Sequence, residues 1–291
     1  MRLQYFIDQD GESVIGLFVP RRRGFVDVSS QEEELWMAMQ SNAAGEKLRR
    51  EIEAWIAAGA ADGVPVDMNG LSLTSALHVL PGSIVCLGKS YAAHAEEFGG
   101  GPPREPSIFL KSVSAVSSEL DYVLRPAGAS RLDYEVELAV IIGGTVHRAN
   151  EEEAAQAILG YTVMCDYSER EWQLERGGQW TKGKSCDTFA PFGPMLVTRN
   201  EISDPNHLHL SLKVNGDLRQ QDTTASLIWP VPRLIAYVSR FMTLNPGDVV
   251  STGTPAGVGL GMNPPRYLQP GDVVEWGCDE IGFVRQHVEQ E

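Results

Sequence analysis

Two glutamates one residue apart, Glu135 and Glu137, lead the segment Asp133-Tyr-Glu-Val-Glu-Leu-Ala-Val-Ile-Ile-Gly143 into an unbroken apolar run. Alternate residues of an extended chain share a face. Both carboxylates therefore project to one side with Ala139 and Ile141, while Val136, Leu138, Val140 and Ile142 take the other. Both faces turn apolar from Leu138 onward, as in a strand buried on both sides. An isolated E-x-E at a strand end is ordinarily solvated. Here a second apolar stretch, Tyr161-Thr-Val-Met-Cys-Asp166, also ends in a carboxylate, followed by the polar turn SERE. Carboxylates crowded at the rim of a core repel one another and are penalised by desolvation. A bound dication relieves both, and oxygen donors select hard ions such as Mg²⁺, Mn²⁺ or Ca²⁺. Glu135, Glu137 and Asp166 are therefore the candidate metal ligands, a set of three that leaves positions open for substrate and water.

Positive and acid–base groups flank this set. Arg170 lies four residues after Asp166, and Gln173 three further on. Lys111 ends the strand PSIFLK, and Lys182 and Lys184 lie in WTKGKSCDTF. Such groups suit neutralising and orienting a substrate carboxylate. Lys182 reads as an ordinary surface lysine. Lys184, set among Gly183, Cys186 and Phe189 before a Pro-containing turn, is expected to be enclosed, with a lowered pKa that lets it move protons. In Gly88-Lys-Ser-Tyr-Ala-Ala-His-Ala-Glu-Glu97, His94 and Glu97 are three apart and so neighbours on a helix. Glu97 can orient and charge-stabilise the His94 imidazole, an acid–base dyad in principle, although a histidine taken alone is more often a surface or capping residue. Tyr91 in the same stretch is a candidate substrate contact. Gly253-Thr-Pro-Ala-Gly-Val-Gly259 follows the apolar Val249-Val250 and matches neither phosphate-loop pattern. It reads either as a plain tight turn or as a backbone cradle that holds a carboxylate or oxyanion with Thr254.

The elements that must position these groups are mostly short strands. From about residue 80 the candidates are 84–87, 107–110, 134–142, 161–165, 195–198, 209–214, 248–251 and 272–275, bounded by Gly and Pro. Helices are expected over 92–98, from Asn150, which can cap Glu151-Glu-Glu153, and over 231–242. The first 75 residues differ. Strands at 3–7, 13–18 and 24–28 precede a helical stretch over 31–61 that puts Leu48, Ile52, Trp55 and Ile56 on one face, and 61–72 reads as a linker. The expected fold is α+β and β-rich: a small N-terminal α+β domain over 1–75 and a mixed β-sandwich or roll catalytic domain over 76–291.

With 24 Lys and Arg against 39 Asp and Glu, the formal net charge is −15. Nucleic acid and anionic membranes select basic surfaces, so both are unexpected partners. Cys86, Cys165, Cys186 and Cys278 form no C-x-x-C pair and read as reduced thiols of a cytoplasmic protein. No apolar run approaches a membrane span, and the first residues lack the apolar core of a signal peptide.

The series GKSYAAHAEE, PSIFLK, DYEVELAVIIGG, GYTVMCDYSERE, WTKGKSCDTFAPFGPMLVT, VNGDLRQQDTTASLIW and LNPGDVVSTGTPAGVG, in this order, resembles the fumarylacetoacetate hydrolase superfamily over roughly residues 80 to 285. The N-terminal part is similar to that of its longer members, among them the acylpyruvate hydrolase and oxaloacetate tautomerase branches. The resemblance implies a β-roll catalytic domain, usually in a homodimer, and Mg²⁺ or Mn²⁺ on the positions of Glu135, Glu137 and Asp166. It implies substrate contacts at Arg170, Gln173, Lys184 and Thr254, and an acid–base dyad at His94 and Glu97. Ser90 and Ser112 depart from the Asn and Pro common there. The implied activity is hydrolysis of a C–C bond in a small 1,3-dicarbonyl or acylpyruvate-type keto acid, through an enolate that the dication stabilises. A keto–enol tautomerase, isomerase or decarboxylase on the same site is the alternative, and a non-catalytic metal-binding relative a second one.

Overall fold

Short apolar runs punctuated by Gly, Pro and Asp favour many short strands over a few long ones. The computed structural model describes residues 1–19, 24–38, 47, 50–52, 54, 72–77, 80–97, 99, 101–117 and 121–291. Its strands are β1 (Arg2–Ile7), β2 (Ser13–Val19), β3 (Gly24–Asp27), β4 (Ser72–Leu73), β5 (Ile84–Gly88), β6 (Ser107–Lys111), β7 (Tyr122–Arg125), β8 (Leu132–Asp133) and β9 (Val136–Ile142). They continue with β10 (Ile158–Cys165), β11 (Ser168–Glu169), β12 (Phe192–Thr198), β13 (His209–Val214), β14 (Asp217–Thr223), β15 (Val249–Ser251), β16 (Val273–Cys278) and β17 (Gly282–Gln290).

Among the described residues these strands build a ten-stranded sheet in the order β3-β2-β1-β12-β10-β9-β15-β5-β6, with β4 also on β1, and a five-stranded sheet in the order β14-β13-β16-β17-β7. The fold is thus α+β and strand-rich. Strands β13 and β16 of the smaller sheet pack over β9, and β16 also meets β10. The layer between holds the bulk of the core, including Trp276, Val136, Leu138, Val163 and Leu212. The N-terminal strands do not stand apart from this arrangement: β1 pairs with β12, Leu3 opposite Leu196, and Met1, Leu3 and Tyr5 enter the same core. Leu48, Trp55, Ile56, Phe98 and all of the expected linker over 61–72 except Ser72, which begins β4, lie outside the described residues.

One expected strand differs in a way that matters. Strand pairing does not run unbroken from Tyr134 to Ile142; Tyr134 and Glu135 lie between β8 and β9. Asp133 turns its carboxylate inward to accept the N–H groups of Tyr134, Gly259 and Leu260. The Val136 N–H then goes to Gln220 Oε1 on β14 rather than to a neighbouring strand. The helix from Glu151 to Gln156 forms as expected: Asn150 accepts from the N–H groups of Glu152 and Glu153, and Glu153 returns a bond to the Asn150 N–H, a capping box.

Candidate metal centre and acid–base dyad

The register of two strands assembles the acidic cluster. β9 and β10 are antiparallel with Val136 opposite Cys165 and Glu137 opposite Met164, and the Asp166 N–H continues the ladder to the Glu135 carbonyl at 2.8 Å. Glu135, Glu137 and Asp166 therefore share one face at one end of the ladder. One oxygen from each lies within 4.8 Å of the others. Glu135 is 5 % exposed, Glu137 2 % and Asp166 fully buried, unlike the solvated carboxylates of an isolated E-x-E.

Three cations answer this charge unevenly. Arg170 donates from Nη2 to Glu135 at 2.7 Å, from Nε to Asp133 at 2.8 Å and from Nη1 to Gln173 at 3.1 Å. Lys184 Nζ bridges Glu135 Oε2 at 2.5 Å and Asp166 Oδ2 at 2.7 Å. Lys111 Nζ holds the other Asp166 oxygen and the Tyr167 carbonyl. Glu137 has no cationic partner among the described residues. Its Oε2 accepts from the Ser251 hydroxyl and from the Gly253 N–H at 3.0 Å, both from the end of β15. The four carboxylates at positions 133, 135, 137 and 166 thus exceed their cations by one charge, and the excess sits on Glu137.

Titration follows this geometry. Burial raises the Glu135 pKa, but Arg170 and then Lys184 outweigh it and hold the group well below the carboxylate range. Burial, then repulsion from Asp166 and Glu135, pushes the Glu137 carboxyl well above that range. The sequence-based expectation for Lys184 is corrected here. Burial does press its ammonium toward neutrality, but Asp166 and Glu135 outweigh burial and hold the pKa above the ordinary lysine value. In the metal-free fold Lys184 is thus held as an ammonium between Glu135 and Asp166.

The donor set fits a hard dication: three oxygen ligands, one of them in no ion pair among the described residues. A proton and a dication then compete for Glu137. Because its folded pKa lies above the unfolded one, the metal-free fold loses stability as pH rises through and beyond the unfolded value, and a dication removes that loss. The gain in melting temperature from Mg²⁺ or Mn²⁺ over chelator is therefore expected to be larger at pH 8 than at pH 5.5. Differential scanning fluorimetry at both values checks this, and an equal or smaller gain at pH 8 contradicts it.

The dyad is formed. His94 Nδ1 lies 3.0 Å from Glu97 Oε2, and the other Glu97 oxygen accepts from the Gly257 N–H at 2.7 Å. The Gly-rich loop after β15 proves to be a cradle for the protein's own carboxylates, with N–H groups of Gly253 on Glu137, Gly257 on Glu97, and Gly259 and Leu260 on Asp133. Gly253 and Gly257 adopt φ of 95° and 109°, and a Cβ at Gly253 would fall on Ser90 Oγ and one at Gly257 on the Arg219 carbonyl. Only glycine satisfies both demands. Thr254 lines the pocket but donates its hydroxyl to the Val136 carbonyl at 2.9 Å while accepting from Gln220 Nε2 at 2.8 Å. Its hydroxyl proton is therefore spent on the backbone rather than offered to a ligand.

A pocket with about 100 Å³ of enclosed room opens over this floor. That is small beside the several hundred Å³ of a drug-sized site, and suits a compact organic acid. Glu135, Glu137, Arg170, Gln173, Lys184, Thr254 and His94 all line it. Leu87, Leu174, Phe109 and Trp180 form its apolar wall, the two rings meeting edge to face at 5.3 Å. Gly88 makes room for that wall, since a Cβ there would lie 3.0 Å from the Trp180 ring. Two expected substrate contacts fall elsewhere. Lys111 sits behind Asp166, and Tyr91 is fully buried with its hydroxyl unpartnered; neither is among the lining residues. Sequence reasoning missed Asp133, which holds Arg170, Ser251, which holds Glu137, and Gln220, which holds the Val136 N–H and Thr254. Asp133 opens the segment DYEVE and Ser251 lies within VVSTGT, but the spacing of neither signals its partner.

A sequence profile described as fumarylacetoacetate (FAA) hydrolase C-terminal matches residues 83–289. A Burkholderia lata protein with the provisional name of a hydrolase is 46 % identical over 207 residues, 71 % of this chain and 73 % of that one. A fumarylacetoacetate hydrolase from the psychrophile Exiguobacterium antarcticum superposes with a TM-score of 0.83 at 33 % identity, covering both chains in full. A 5-carboxymethyl-2-hydroxymuconate delta-isomerase from Mycobacterium smegmatis does so with 0.76 at 30 %, again over both full chains.

Proposed function

From the premise that this chain belongs to the fumarylacetoacetate hydrolase family, we propose that it is an Mg²⁺- or Mn²⁺-dependent hydrolase that cleaves a C–C bond in a small 1,3-dicarbonyl keto acid of the acylpyruvate type. The observation that carries this reading is Glu137, a buried carboxylate beside two others and in no ion pair among the described residues. Glu135, Glu137 and Asp166 would hold the dication, which supplies polarisation of a chelated carbonyl and stabilises the negative charge that develops on its oxygen.

The chain's own groups do the rest. Glu97, fixed by the Gly257 N–H, aligns His94 through Nδ1 and leaves Nε2 for a water. His94 takes a proton from that water, whose oxygen attacks the distal carbonyl. The C–C bond breaks, giving a carboxylic acid and the enolate of a 2-keto acid, and the proton on His94 returns to the enolate carbon. Lys184 and Arg170, both held cationic by their carboxylate partners, offset the negative charge that builds in this low-dielectric floor. The apolar wall of Leu87, Phe109, Leu174 and Trp180 faces the acyl part of the substrate.

The test is incubation of acylpyruvates with the Mn²⁺-loaded protein, following the loss of the enol absorbance and release of pyruvate and a carboxylic acid in equal amounts. No release across a panel of acylpyruvates rejects hydrolysis. A keto–enol isomerase is the second reading, favoured by the likeness to the Mycobacterium smegmatis isomerase and by a dyad able to move a proton without water. It predicts enol–keto exchange of oxaloacetate with no bond cleavage.

His94→Ala separates binding from chemistry. It leaves the three carboxylates intact, so metal affinity by calorimetry stays at the wild-type value, while turnover falls by about 10²- to 10⁴-fold, the usual contribution of a general base. Turnover within a few-fold of wild type removes His94 from the mechanism.

A further inference from the structure

The charge of each cation on the pocket floor is already answered: Arg170 by Asp133 and Glu135, and Lys184 by Glu135 and Asp166. One lining cation is different. Lys89 follows β5 directly, is half-buried, lines the pocket beside Leu87, Gly88 and His94, and has no carboxylate partner among the described residues. In a chain with 15 more acidic than basic groups, an unpaired ammonium at the mouth of an acid-binding pocket is conspicuous.

Its backbone adds a second, independent observation. Lys89 adopts φ of 57°, the left-handed region, which costs a side-chain-bearing residue on the order of 1 kcal/mol or more and persists only when the surroundings enforce it. The surroundings do enforce it. β5 is pinned between β15 and β6, the Ser90 hydroxyl donates to the Thr252 carbonyl, and the Ser90 carbonyl accepts from the Ile228 N–H at 2.8 Å. Glycine would adopt this conformation without strain, yet lysine stands here. Lys89 therefore lines the pocket from a held backbone.

We propose that Lys89 is a specificity-determining residue that pairs with a second carboxylate, at the end of the substrate remote from the dication, so that the enzyme prefers dicarboxylic keto acids. This rests on the keto-acid reading given above. One carboxylate of such a substrate joins the dication on the floor, the apolar wall covers the carbon chain between, and Lys89 receives the far end. At a partly exposed site the pair discriminates mainly against substrates that lack the charge, and salt weakens it.

The test is calorimetric binding to the Mn²⁺-loaded protein of two acids of equal chain length, 2-oxoglutarate and 2-oxopentanoate, which differ only in a terminal carboxylate against a methyl. Wild type is expected to bind 2-oxoglutarate at least about tenfold tighter, with the preference shrinking between 50 and 500 mM NaCl. Lys89→Met, which keeps a side chain of similar length on the same backbone, loses the preference by weakening 2-oxoglutarate alone. Lys89→Arg restores it. Equal binding of both acids to wild type, or a preference that survives in Lys89→Met, overturns the assignment. Failure of both acids to bind wild type would overturn the keto-acid reading itself and the assignment with it, whereas binding of both acids with no preference removes only Lys89.

Discussion

Glu137→Gln protein is expected to take up neither Mg²⁺ nor Mn²⁺ at concentrations that saturate the wild type, and its turnover to fall by well over the roughly 10- to 100-fold typical of losing a mere outer partner of a metal site. The reason is specific to this position. Glu135 and Asp166 are each neutralised by lysine or arginine, so Glu137 supplies the net negative charge that attracts a dication. The amide is nearly isosteric, and its oxygen can still accept from the Ser251 hydroxyl and the Gly253 N–H. It also removes the repulsion from Asp166 and Glu135 that pushes the carboxyl up. Without metal the variant is accordingly expected to melt higher than wild type, an exchange of function for stability. Calorimetric titration with Mn²⁺ and melting with chelator measure both halves. Saturable Mn²⁺ uptake of wild-type strength would remove Glu137 from the ligand set.

Lys184→Met is expected to destabilise the metal-free protein by about 3–5 kcal/mol, the usual cost of stranding a buried charge by deleting its partner. Lys184 Nζ touches both Glu135 and Asp166, at 2.5 and 2.7 Å, and all three side chains are almost wholly buried. Methionine preserves much of the packing against Phe109, over whose ring Nζ lies at 5.0 Å, so lost volume is not the main effect. Mn²⁺ should restore part of the lost stability, because it supplies positive charge to the same oxygens, but not the turnover, which needs a cation beside the developing negative charge. Urea unfolding at pH 7 with chelator and with Mn²⁺ measures this. A metal-free loss under about 1 kcal/mol would mean that Glu135 and Asp166 take up protons instead, and would contradict the low Glu135 pKa.

Much of this site was readable before any fold was known. The ligands stand at the ends of two apolar strands, where periodicity is strong, and the i, i+3 spacing of His94 and Glu97 survives as a 3.0 Å contact. Two of the strands that the pattern does not show, β14 and β17, each carry a buried glutamine; in β17 Gln286 stands between buried Val284 and Val288, where an apolar residue would complete the alternation. Gln220 serves the Val136 N–H and Thr254; Gln286 accepts from Trp276 and Tyr167 and donates to the Tyr122 carbonyl. A buried amide with every group bonded is stable inside a core, but in sequence it looks like a surface residue. The same blindness put Lys111 among substrate contacts, whereas it is locked behind Asp166.

The sequence by itself determined which residues could ligate, which could pair as acid and base, and that the chain would form a strand-rich α+β fold, because these follow from side-chain chemistry and local periodicity. Only the tertiary structure decided how charge is shared among them. Lys184 stays an ammonium, the glycine-rich loop turns its N–H groups onto Glu137, Glu97 and Asp133, and Glu137 is left without a cation because partners more than a hundred residues apart in the chain meet at one end of the sheet. Coulomb energy and desolvation depend on distances through space and on burial, and neither is encoded in the spacing of residues along the chain.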